Sequence, residues 1–195
     1  MNRQQSKTKK ITTIGILSAI SAILMFVEFP LPFFPPFLNM DFSDVPALFA
    51  ALALGPAAGV AVELIKCLLH LLATKSAGVG ELASFICGAA YVYVAGTIYF
   101  VKKTRNNAIF AMLIATLATT LIAALVNIFI LLPAYQWLLG ISSSAVVSMA
   151  QAVNPAVKNI NQLILYAIIP FNIFKWFLSS LIVYLVYKKL SHYFH

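Results

Sequence analysis

"IIPFNIFKWFLSSLIVYLVYKK", residues 168 to 189, is an apolar run long enough to cross a bilayer, yet it carries two residues that hydrocarbon does not tolerate alone. Asn172 and Lys175 are spaced i, i+3, so on a helix the amide and the ammonium lie on one face. In lipid each is costly unless it meets partners. One of the chain's few acids could meet the ammonium, or both groups could face a polar pocket. Depth favours the pocket: by helical rise Lys175 lies roughly 20 Å from the outer end of this helix, too far for easy snorkelling. Replacing Lys175 by Met or Asn172 by Leu is then expected to weaken ligand binding and to leave the empty protein as stable or more so.

The rest of the chain agrees with a membrane reading. Of 195 residues, 62% are hydrophobic and 9% charged, and the mean hydropathy is +0.95, far from a soluble domain with roughly a quarter of its residues charged. At roughly 20 residues per span the length accommodates about six helices and no separate soluble domain. The expected fold is an all-α integral membrane protein, a six-transmembrane-helix bundle forming one domain over residues 1–195. Spans are predicted at roughly 11–29, 45–55, 57–74, 81–101, 107–137 and 161–189. The second is too short to cross alone, and Pro56 and Gly59 in "ALGPAAG" separate it from the third, so the two are expected to pack as a tilted pair. "ITTIGILSAISAILMFVEF" is too long for a signal-peptide core and is read as a retained first helix.

The net charge of +8 does not point to nucleic acid, because the basic residues cluster beside apolar spans and not in a stripe interleaved with stacking aromatics. Arg3, Lys7, Lys9 and Lys10 precede the first span, Lys102, Lys103 and Arg105 follow the fourth, and Lys188 and Lys189 end the last. By the positive-inside rule both termini are cytoplasmic, in a cell membrane. Two outer segments are more than connectors. Residues 30–44, "PLPFFPPFLNMDFSD", are stiffened by prolines among aromatics and are expected to form a lid. Residues 140–160 are small and polar, with a short interfacial helix expected before Pro155.

Asn127 is a second amide in an apolar span, close to Pro133 and Tyr135. Together, Asn127, Asn172 and Lys175 offer donors and amide acceptors with no acid among them, which suits a neutral ligand rich in carbonyl and hydroxyl groups, while the surrounding Phe, Tyr and Trp suit a flat ring. Asp41 and Asp44 form a D-x-x-D pair without a second acidic cluster, so Asp44 is expected to cap the next helix, not to hold a metal. Glu63 and Lys66 are expected to neutralise each other, His70 to be a hydrogen-bonded core residue, and Glu81 to sit at a helix N-terminus after the close-packing Gly78 and Gly80. Cys67 and Cys87 lie in apolar stretches, where free Cys acts as a small hydrophobe. In the first span, Gly15 with Ala19 and Ser18 with Ala22 are small-x-x-x-small pairs that admit close approach of another helix, from this chain or from a partner. No phosphate-binding loop, zinc-protease motif or nucleophile elbow is present, so any driving energy is expected from partners and the chain is not expected to be an enzyme.

Three stretches, "LNMDFSDVPALFAALALGPAAGVAVELIK" (38–66), "GELASFICG" (80–88) and "PFNIFKWF" (170–177), resemble the riboflavin-specific substrate-binding component, or S component, of energy-coupling-factor (ECF) vitamin transporters. The resemblance covers nearly the whole chain. It implies a membrane subunit that binds riboflavin from outside, with no catalytic cofactor, and associates in the bilayer with a scaffold membrane protein and two ATPases. The ligand residues it implies are Asn39 and Met40 in the covering loop, Glu81 and Ser84, Asn127 and Tyr135, and Asn172 and Lys175; Ser84 stands where relatives often carry Asn. It also implies that Gly15, Ser18, Ala19 and Ala22 dock the scaffold. Rival readings are another flat vitamin such as thiamin, a self-sufficient ion-coupled carrier, or a membrane enzyme using Asp41 and Asp44.

Overall fold

The computed structural model describes residues 3–190. Met1 and Asn2 at the start of the basic segment, and the side chains of Arg3, Lys188 and Lys189, lie outside the described residues. Helix α1 spans Arg3–Phe26. Two of its hydroxyls are satisfied within the helix, Ser18 Oγ donating to the Ile14 carbonyl at 2.8 Å and Thr13 Oγ1 to that of Lys9 at 2.9 Å. The lid that follows is pinned at its base by a two-residue antiparallel pairing, β1 (Phe29–Pro30) with β2 (Asn39–Met40), in which Phe29 faces Met40 and Pro30 faces Asn39.

Helix α2 is only Asp44–Leu54, and α3 runs Pro56–His70. Gly55 makes the elbow between them with φ of 108°, a conformation open to glycine, and Pro56 opens α3 at a position where its missing N–H costs nothing. An 11-residue helix is about 16 Å long, half a bilayer. It needs no greater length, because it starts inside the bundle: Asp44 is fully buried, and Ala47, Leu48, Ala50 and Ala51 have no exposed surface. Close approach at the elbow depends on small residues. A Cβ on Gly59 would fall 2.6 Å from that of Ala51, and one on Gly96 would fall 3.0 Å from Pro56.

Helix α4 (Val79–Val101) descends from the lid end, and α5 (Arg105–Val126) returns, its first turn capped by Thr104. A π-helical turn over Asn127–Leu131 carries α5 into α6 (Leu132–Leu139), which ends at Gly140 in the left-handed conformation. Helix α7 (Ser143–Val153) lies before Pro155, and α8 (Ile160–Leu163) leads through a second π turn, Ile164–Ile168, into α9 (Ile169–Leu190). Among the described residues, five stretches are long and apolar enough to span a membrane: Lys7–Phe26, Pro56–Ala73, Val79–Val101, Arg105–Leu139 and Ile160–Val186. The six expected spans are thus five helices of spanning length plus the short inner α2. Exposed apolar side chains such as Ile23, Leu121 and Phe129 clothe the outside, a surface suited to hydrocarbon. Tyr91 of α4 ties to α9, its hydroxyl 3.2 Å from the Trp176 carbonyl and 2.6 Å from Ser180 Oγ.

Candidate ligand-binding site

A cavity of about 390 Å³ opens between the lid and the adjoining ends of α1, α4, α5, α6 and α9. Lys102, Lys103 and Arg105 lie at the opposite ends of α4 and α5. Around the cavity stand Asn39, Glu81, Ser84, Asn127, Tyr135, Asn172 and Lys175, drawn from five separate elements. Met40, expected beside them, is 1% exposed and packs inward from the hairpin, outside the cavity lining. Residues the sequence did not single out as ligand contacts also line the cavity: Phe37 and Leu38 of the lid, Phe171 and Trp176 of α9, and Asp41.

The two amides are presented in the same way. Asn127 Nδ2 donates to the Ala123 carbonyl and Asn172 Nδ2 to that of Ile168, both at 2.8 Å. Each anchored amide retains its oxygen and a second N–H for a ligand. Asn127 opens one π turn and Asn172 follows the other, and each π turn is closely followed by a proline, Pro133 after 127–131 and Pro170 after 164–168. A proline lacks the N–H that continues an α-helix and collides with the carbonyl four residues back, and a wider turn relieves both problems. The prolines were the available sequence signal for these turns.

Glu81 is fully engaged. His70 Nδ1 lies 2.9 Å from its Oε1, and the hydroxyls of Thr74 and Ser76 both donate to Oε2 at 3.0 Å. Gly78, with φ of 87°, and the bond from Gly80 N–H to Ser76 Oγ at 2.9 Å close the turn that brings these donors to the start of α4. At the cavity mouth Glu28 pairs with Lys75 at 2.7 Å.

Lys175 departs from the expectation of a polar face without acids. Its Nζ is 2.8 Å from Asp41 Oδ2 and 3.4 Å from Asp44 Oδ2. Asp44 is likewise not a helix cap: its side chain makes no capping bond, and Oδ1 instead meets Lys66 Nζ at 2.5 Å. Lys66 also reaches Glu63 at 2.8 Å and Ser43 Oγ at 2.8 Å, with no exposed side-chain surface. Asp41 accepts from the Ser43 N–H at 2.9 Å and from the Ser43 hydroxyl, and Ser21 of α1 donates to the Ser43 carbonyl. Burial alone would raise the Asp41 carboxyl, but the ammonium groups of Lys175 and Lys66 outweigh it and hold Asp41 well below the ordinary carboxylate range. The chain's five acids all have cationic partners or, for Glu81, a histidine. Both carboxylates of D-x-x-D are thus engaged by lysines.

The cavity therefore offers amide and hydroxyl groups, the paired charges of Lys175 with Asp41 and of Lys75 with Glu28, the engaged carboxylate of Glu81, and the rings of Phe37, Tyr135, Phe171 and Trp176. Such a lining hydrogen-bonds the edge of a planar polar ring and covers its faces.

The α1 residues divide into two flanks. Ser18 and Ala22 are buried at 1% and 4% against the chain's own helices, whereas Gly15 and Ala19 face outward.

A family model described as the substrate-specific component of ECF transporters matches residues 9–187. The chain is 37% identical to the riboflavin transporter RibU of Staphylococcus aureus over 99% of its own length and 95% of the relative's. It is 33% identical to the riboflavin transporter FmnP of Bacillus subtilis, covering 95% and 93% respectively. A solved structure of the S component of a bacterial ECF transporter superposes with a TM-score of 0.76 at 36% identity, over 96% of this chain and 98% of that one.

Proposed function

The chain belongs to the family of substrate-specific components of ECF transporters, and on that premise we propose that it captures riboflavin in the cavity beneath the lid and delivers it through a partner scaffold and ATPase module. The observation that carries the ligand is the lining itself. Asn127, Asn172 and Lys175 converge with Ser84 and Asn39 on one open cavity walled by Tyr135, Phe171 and Trp176. Riboflavin presents ring carbonyls and ribityl hydroxyls to such donors and a flat tricycle to such walls. Relatives named as riboflavin transporters support the same choice. The positive-inside rule puts Lys102, Lys103 and Arg105 in the cytoplasm, so the cavity faces the exterior and both termini are cytoplasmic.

The outward flank of α1, with Gly15 and Ala19, is the docking surface for the scaffold, while Ser18 and Ala22 serve the internal fold. The test of the ligand is a fluorescence titration of riboflavin with the purified chain. Stacking against the aromatic walls is expected to quench the flavin at one equivalent, and excess thiamin is expected not to restore the signal. An unquenched titration, or displacement by thiamin, would overturn the assignment.

A further inference from the structure

The ammonium of Lys175 is not free in the cavity; two carboxylates from outside its own helix hold it. We propose that Asp41 and Asp44 are positioning residues that fix the Lys175 ammonium on the cavity wall, so that one of its N–H groups is aimed at the bound flavin. The inference rests on the riboflavin reading and deepens it, since neither aspartate has a role in that reading.

A lysine ammonium has three N–H donors on a stem with four rotatable bonds, and unrestrained it would sample many positions. Here Asp41 Oδ2 takes one donor at 2.8 Å. Asp44 Oδ2, buried and without a hydrogen bond of its own, stands 3.4 Å away and attracts the same nitrogen. Two donors remain, one on the side of Asp44 and one for the cavity, which Lys175 lines. Both carboxylates are themselves fixed. Asp41 is held by the backbone and hydroxyl of Ser43, and Asp44 by Lys66, which Glu63 and Ser43 clamp in turn. Lid, α2, α3 and α9 thus meet at one ion-pair cluster, and the ligand-facing charge sits at its cavity end. Asp44 does not line the cavity, so any effect of Asp44 on binding must pass through other groups, and of its two ion-pair partners, Lys66 and Lys175, it is Lys175 that lines the cavity.

The test is a double-mutant cycle on the full chain in detergent, read by riboflavin titration, by the absorption maximum of the bound flavin, and by thermal unfolding of the ligand-free protein. Asp41→Asn and Asp44→Asn are each expected to weaken binding about tenfold, roughly 1.4 kcal/mol, when Lys175 is present. In a Lys175→Met background the same changes are expected to have less than about a twofold effect, the signature of action through one partner. The flavin absorption maximum should move in the same direction in each aspartate variant as in Lys175→Met. If Asp44→Asn fails to fold, because it also releases Lys66, the Asp41→Asn cycle decides. Equal losses with and without Lys175, or no loss at all, would overturn the inference alone. Failure of the unaltered chain to bind riboflavin would overturn the functional reading and this inference with it.

Discussion

Lys66 places its ammonium among Asp44, Glu63 and Ser43 with no exposed side-chain surface, so its removal would leave two buried carboxylates without their shared counter-charge. Breaking a buried ion pair in this way costs on the order of 3–5 kcal/mol. Lys66→Met is therefore expected to lower the thermal midpoint sharply or to prevent recovery of folded protein from membranes. Lys75→Met removes a pair whose lysine is largely in solvent, and should leave the melting curve unchanged. Lys175→Met falls between them. The sequence suggested that this change would leave the empty protein as stable or more so, but the structure reverses the sign, because Asp41 and Asp44 both lose a neighbouring cation. A polar face, legible as the i, i+3 pair Asn172 and Lys175, did not disclose its partners. Asp41 lies 134 residues from Lys175 in sequence, and no local spacing links them.

Helix α2 owes its short length to where it starts, at the ion-pair cluster inside the bundle, and its close approach to α3 and α4 to Ala47 and Ala51 against Gly59 and Gly96. Gly59→Ala would drive a methyl group against Ala51 Cβ and the Ala47 carbonyl, 2.6 and 2.9 Å away. Overpacking of this kind costs about 1–3 kcal/mol, to be read as a lowered thermal midpoint, with Gly15→Ala as the neutral control because nothing lies within 4 Å of that position. The elbow was legible in sequence from Pro56, but the residue that turns is Gly55, and Gly59, expected to share in the break, lies within α3 as a close-packing position. The lid was legible as non-helical from its prolines, but its hairpin register was not, because a two-residue ladder carries no periodic signal. The π turns were missed for a related reason. Pro133 and Pro170 announce a disturbance in the helix without specifying that it widens and sets Asn127 and Asn172 at the cavity.

Across the whole molecule, the cavity lies at one end of the bundle and the basic residues following α4 lie at the other, which in the proposed orientation separates ligand capture from the cytoplasmic face. The proposed α1 docking surface is narrower than its sequence pattern suggested. Four small residues in two pairs looked equivalent, but burial of Ser18 and Ala22 leaves the flank of Gly15 and Ala19 for a partner. Ala19→Trp is expected to abolish co-purification with the ATPase module and riboflavin uptake by cells, while the isolated subunit binds riboflavin as before; loss of both would place Ala19 in the internal fold. The central claim, that one cavity built on Asn127, Asn172 and Lys175 takes riboflavin, is tested most directly by calorimetric titration of the purified chain beside a folded Asn172→Leu variant. The account predicts a single site with one equivalent of riboflavin for the unaltered chain and weakening of about tenfold or more in the variant, the loss expected when a buried ligand hydrogen bond goes unmade. An absence of binding heat in the unaltered chain, or equal affinity in the variant, would contradict it.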